Sequence, residues 1–152
     1  MAEGDITMYQ AGIGAIGSGQ VDLSSSDNHA LTMILVVGYT PNQDTDLVYG
    51  DITAAAVEYG SSDGYTAGGQ VLETTTWTYD SDNVRWVFDA ANLTWSSLGP
   101  LDTATPSHAI CYENGAAASD DHLIFYMELG TTATNGGDYT LTWDAAGIFY
   151  SS

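Results

Sequence analysis

The chain has 152 residues and a mass of 16.0 kDa, and it sets twenty Asp and Glu against one basic residue, Arg85, for a formal net charge of −19. That length suits one domain burying about 70% of the surface its unfolded chain exposes, enough to fold without cross-links. Neutralising phosphates takes several Lys or Arg on one face, so nucleic acid and anionic membrane surfaces are excluded as direct partners, and ion-pair networks are excluded as the source of stability.

Asp outnumbers Glu fifteen to five, and Thr, Tyr, Gly and Ser are abundant, a composition that favours strands over surface helices. Residues 1–28 contain AGIGAIGSGQVDLSSSDN, which has no sustained period, and are expected to form an N-terminal arm or irregular edge. In HALTMILVVG, from His29, Leu31, Met33, Leu35 and Val37 share one face and Ile34 and Val36 the other, which predicts a central strand buried on both sides. Residues 41–60 hold Pro41, several cap-type residues and the apolar set Leu47, Ile52, Ala55 and Ala56, predicting a short helix or ordered loop. After the glycine-rich SSDGYTAGGQ, VLETTTWTYD and VRWVFD flank a turn-forming Asp-Ser-Asp-Asn cluster and predict a hairpin in which Val84, Trp86 and Phe88 share a face. Further strands are predicted at 107–113, 122–129, 138–144 and 147–150. Short strands separated by turns predict an all-β fold, an antiparallel β-sandwich of jelly-roll or Greek-key type, with residues 29–152 forming its single domain.

The chemical motifs fail on inspection. Gly12, Gly14 and Gly17 fit G-x-G-x-x-G, but SGQVDLSSSDN does not continue as the helix a dinucleotide needs, and no acidic residue lies between Asp27 and Asp44 to take a ribose. Asn42, Asp44 and Asp46 open like an EF-hand loop, yet Leu47 stands where glycine is required and Thr53 where glutamate is required. Asp80 with Asp82, and Asp120 with Asp121, read as turn formers. His108 and Cys111 are three apart in a strand and fall on opposite faces, which rules out a dyad, and lone Cys111 reads as a small buried hydrophobe. His29, His108 and His122 each begin a strand, where a surface histidine also sits. No catalytic residue, metal ligand or cofactor is assigned. Asn92-Leu93-Thr94 is a glycosylation sequon, which matters only in a secreted eukaryotic protein. Four tryptophans and ten tyrosines raise a saccharide-binding alternative; Trp86 and Trp143 alternate with apolar neighbours and are predicted interior, while Trp77 and Trp95 stay undetermined. No apolar run reaches about 18 residues, and the opening MAEGDITMYQ has no basic n-region or apolar h-region, so neither a membrane span nor a signal peptide is expected.

Six segments carry a resemblance: VDLSSSDNHALTMILV at 21–36, YTPNQDTD at 39–46, GYTAGGQVL at 64–72, VFDAANLTW at 87–95, HLIFYMELG at 122–130 and GGDYTLTWDAAGIF at 136–149. From Val21 onward the chain resembles a family of small tailed-bacteriophage virion proteins often encoded near the major capsid gene. It departs from them in lacking their basic residues, Thr32 or a neighbour standing where they show a Lys, which suggests a phage of a saline habitat. The resemblance implies a capsid decoration, or cement, protein made in the host cytoplasm and seated on the outer surface of the virion head. Its partners would be the major capsid protein and further copies of itself, as a homotrimer. Ile13 and Ile16 are the expected capsid anchors. The alternatives are a receptor- or carbohydrate-binding module of a tail or head fibre, or another tail component.

Repulsion among so many carboxylates is screened over about 10 Å at 0.1 M salt and over less at higher salt. The melting temperature should therefore rise when NaCl is raised from about 0.05 to about 1 M; a flat thermal-denaturation series would contradict the halophilic expectation.

Overall fold

The computed structural model describes residues 4–24, 30–60, 64–99, 105–115, 120–130 and 134–151. In chain order the elements are β1 (Ile6–Met8), α1 (Gln10–Gly17), β2 (Ala30–Val37), α2 (Tyr49–Ala55), β3 (Gln70–Val71), β4 (Thr76–Asp80), β5 (Arg85–Asp89), β6 (Leu93–Trp95), β7 (Pro106–Asn114), β8 (Leu123–Glu128), β9 (Tyr139–Leu141) and β10 (Phe149–Ser151). They form an all-β sandwich whose sheets are antiparallel throughout. The central sheet has five strands in the order β1-β8-β7-β2-β3.

The period-2 pattern of β2 explains the layers. Leu31, Met33 and Leu35 enter one core, while Ile34 and Val36 enter a second on the other face. Register carries this division across the sheet: Met33 pairs with Cys111 and Cys111 with Phe125 on the first face, Ile34 with Ile110 and Ile110 with Tyr126 on the second. The first core is closed by Phe88 of β5, Leu93 and Trp95 of β6, Leu141 of β9, and Ile148. The three-stranded sheet β10-β5-β4 and the ribbon β6-β9 thus form the second layer. The other core is closed by Tyr9 and by Ile52 of α2, with Tyr39, Tyr49 and Val57 packed against it. Each large apolar side chain buried this way contributes about 1.5–3 kcal/mol before conformational entropy is subtracted.

Three segments differ from the sequence reading. Residues expected to form an arm or irregular edge hold β1, which pairs with β8 through Ile6–Met127 and Met8–Phe125, and the helix α1. A bulge between Cys111 and Tyr112 leaves Ile124 without a partner on β7. Its carbonyl accepts the Tyr9 N–H at 3.0 Å, and α1 starts there. Gly12 sits against that bulge so closely that a Cβ would lie 2.7 Å from Ile124 Cα and from the carbonyl oxygens of Leu123 and Ile124. The presumed hairpin leg 71–80 is split: Val71 belongs to β3, opposite Thr32, and only Thr76–Asp80 pair with β5. Thr74 turns the chain from one sheet to the other with φ +56°. The strand expected over 138–144 ends at Leu141, because the Trp143 backbone N–H goes to Asn92 Oδ1 at 3.0 Å and its indole N–H to the Ala91 carbonyl at 2.9 Å.

Helix α2, within the segment expected to hold a short helix or ordered loop, begins where Asp51 accepts the N–H groups of Leu47 and Val48 at 2.9 and 3.1 Å. No described helix is long and apolar enough to cross a membrane.

The packing of α1 is testable at two glycines of one helix. Gly12→Ala should cost about 1–3 kcal/mol by forcing the helix off β8. Gly14→Ala, where an added Cβ meets nothing within 4 Å, should stabilise by up to about 1 kcal/mol. Urea denaturation of both variants checks the sign difference.

Candidate functional site: the overhanging hairpin

The chemistry-bearing groups are used for structure. Cys111 is wholly buried, which pushes its thiol pKa up and keeps it protonated, hence a poor nucleophile. His108 faces away from it, in the register opposite Glu128, and desolvation lowers its pKa. His122 lies at the far end of the β7–β8 ladder with Nδ1 3.3 Å from Glu113 Oε2. Some five residues of strand, about 17 Å, separate these two histidines, so they do not meet; His29 lies outside the described residues. The Asn42-Asp44-Asp46 loop is closed on itself: Asn42 Oδ1 takes the Asp44 N–H at 3.0 Å, and Asp46 Oδ2 takes the Asn42 N–H and the Tyr39 hydroxyl at 2.8 and 2.7 Å. Among the described residues no group of three or more His, Cys, Asp or Glu is placed to hold a metal ion.

Glu58 is the hub of the second core's rim. Its carboxylate accepts the hydroxyls of Tyr49 and Tyr65, each at 2.7 Å, and the Gly68 N–H at 2.6 Å. The Gly68 carbonyl in turn accepts the Tyr112 hydroxyl at 2.9 Å. This network pins the GYTAGG segment beside β2, where Gly69, at φ +78°, brings its backbone against the Met33 carbonyl. It clamps that segment in place.

The feature with no structural assignment is the β4–β5 hairpin. Asp80 builds its turn, accepting the N–H groups of Asp82 and Asn83 at 3.1 and 3.3 Å and the Asn83 side-chain amide at 2.8 Å. The Asn83 amide, followed by smaller backbone contributions and Arg85, lowers the Asp80 pKa. Register puts Trp77 opposite Phe88 and Tyr79 opposite Trp86, so all four share one sheet face with Phe149 of β10. At the base of the hairpin Phe88, Trp77 and Phe149 pack on the first core. Towards the tip the same face runs past the core, leaving Trp86 45% and Tyr79 52% exposed. Trp86 was expected inside and is not, because the strand pair outreaches the layer beneath it. Trp95, undetermined from sequence, is wholly buried and no longer a saccharide candidate; Trp143, expected interior, is half-buried against the first core.

The opposite face of this sheet carries Tyr150, 58% exposed, with the Arg85 guanidinium carbon 4.2 Å from its ring centroid and Arg85 Nε 3.4 Å from Asp80 Oδ2. Of the expected anchors, Ile13 is 48% exposed on α1, whereas Ile16 packs partly on the first core and lines a hollow of about 270 Å³ with Gly19, Val21, Asp22, Leu23 and Trp77. The sequence signal for this exposed pair is that Tyr79 and Trp86 lie within three positions of the turn cluster, too near the tip to reach the core.

Compared with known protein families, curated proteins and solved structures, the chain matches none.

The tyrosines make stability alkali-sensitive. Burial first, and then the Asp46 or Glu58 carboxylate, raises the pKa of Tyr9 and Tyr65 far above the ordinary 10.0. Burial and an Asp46 hydrogen bond push Tyr39 up to about 12, and burial brings Tyr112 to about 12. The unfolded chain thus loses protons first. Stability is intact below pH 10.0 and falls as pH rises from there, by up to about 1.4 kcal/mol per pH unit for each deeply buried tyrosine. Urea unfolding at about pH 9 and about pH 11 should show this loss, and Tyr65→Phe should lessen it by one tyrosine's share.

Proposed function

We propose that this chain is a capsid decoration protein of a tailed bacteriophage, mounted on the outer surface of the head through repeated contacts with the major capsid protein and with copies of itself. The observation that carries the proposal is the distribution of its surface. The nucleophile is buried, the described titratable clusters close on themselves, and the large exposed apolar side chains stand on a chain of net charge −19. Such a surface suits attachment by fit. A cement protein needs no reacting group, because one modest interface repeated over a symmetric lattice gains avidity. Excess carboxylate keeps crowded copies soluble and apart. The resemblance of six segments to phage virion proteins supports the same reading; two of them, 122–130 and 136–149, cover β8 and run through β9 into β10.

Ile13 is the side chain best placed on α1 to act as an anchor, being exposed beside the buried Gly12 and Ala15 that fasten the helix. Deleting the first twenty residues would test the fold and not the anchor, since β1 and α1 belong to the sandwich. Purified particles should carry this protein in many copies on heads, and Ile13→Ser protein added to undecorated heads should occupy them less than wild type. Quantitative gel densitometry against the major capsid protein reads both. Absence from particles would overturn the proposal, and a few copies located on tails would favour a fibre or tail component.

A further inference from the structure

We propose that the underside of the β4–β5 tip is a binding platform for a neutral, hydroxyl-rich glycan, with Trp86 and Tyr79 as its stacking surface and Trp77 as its inner wall. Trp77 and Trp86 are stacked with nearly parallel rings, 14° between ring planes and 5.9 Å between centroids, and Tyr79 continues the strip 5.6 Å from Trp86, tilted by 56°. The strip runs from the open tip into the hollow that Trp77 lines with Ile16, Val21 and Leu23. An apolar recess with a few polar groups at its margin is the usual build of a small-ligand site, and an exposed aromatic cluster on a charged protein marks a binding surface.

Charge and shape select the ligand class. Asp22 lines the hollow, whereas Arg85, the chain's only Lys or Arg, lies on the opposite face over Tyr150 together with its ion-pair partner Asp80. A carboxylate margin with no cation repels phosphate, sulfate and uronate groups and accepts hydrogen bonds from hydroxyls. Quaternary ammonium groups would suit the charge, but they are held by rings that surround them. Here Trp86 lies stacked on Trp77, so the indoles present an outward face and enclose no cage. A sugar ring suits that face, since its C–H side lies flat on an indole while its rim hydroxyls point outward to acceptors. The site does not depend on the capsid proposal and is present in the isolated chain.

The test is fluorescence titration of the purified full chain with cellohexaose, maltohexaose and chitohexaose, with hexagalacturonate and choline as controls. At least one neutral oligosaccharide should perturb indole emission saturably, with little dependence on NaCl, and hexagalacturonate should not. Trp86→Ala and Tyr79→Ala should each weaken that binding by about tenfold or more while melting like wild type, since both side chains are exposed. No saturable response to any of the three sugars, or equal response in Trp86→Ala, would overturn the proposal. A salt-sensitive response to choline alone would reassign the strip to cations. Loss of head attachment in Trp86→Ala without any sugar response would make it a protein-docking surface. Either result also rejects the glycan assignment, while the copy number on heads remains a separate measurement.

Discussion

Near-absence of cations is the constraint from which the rest of the molecule follows. With twenty carboxylates and one Lys or Arg, negative charge cannot be offset by ion pairs, so it is offset by N–H and O–H groups of the chain itself. Asp22, Asp46, Asp51, Asp80, Asp89, Asp121, Asp138 and Asp144 each accept a backbone N–H, most from within six residues in sequence. A short side chain reaches such neighbours more readily than a long one, which accounts for the excess of Asp over Glu. Glu58 is the exception that shows the rule: its longer arm spans elements and gathers two tyrosine hydroxyls and one peptide N–H. The tyrosine content thus has a role beyond packing, because phenols donate to carboxylates without carrying charge.

Turns secured this way leave cohesion to the central sheet. β2, β7 and β8 are buried along nearly their whole length and feed two cores at once. That arrangement was legible in HALTMILVVG and HLIFYMEL, whose apolar residues do not alternate with polar ones. The Asp80 turn was legible too, from its cluster of turn residues. Helix α1 was not. Three glycines in QAGIGAIG argue against a helix by propensity, yet Gly12 is what allows the helix to touch β8 at the Ile124 bulge. A glycine required for close approach cannot be told from a flexible one until its neighbour is known. The short β6 was obscured likewise, and β9 was expected too long, since tertiary hydrogen bonds from Trp143 to Asn92 and Ala91 decide where the ribbon stops.

The candidate site was half legible. Alternation correctly placed Trp86 with Phe88 on one face, but Val84, expected with them, stands in the turn at φ +53°, and alternation could not say where along that face the core ends. Phe88 is buried and Trp86, two residues on, is exposed, although both point the same way. Exposure here depends on how far a strand pair extends past the layer beneath it, a quantity set by the length of β10 and by the position of α1, neither of which is local to the hairpin.

That overhang has an energetic meaning. Burying an aromatic side chain of this size contributes about 1.5–3 kcal/mol, and a tip two residues shorter would have let a polar turn cap the sheet with nothing forfeited. The chain instead extends the hairpin, closes it with Asp80 and Asn83, and stacks Trp77, Trp86 and Tyr79 on one another so that the exposed rings are partly sheltered and held in place. Rings fixed in this way lose little conformational freedom when something settles on them. Under the binding proposal, that low ordering cost is what the hairpin tip contributes, at the expense of the burial its rings forgo.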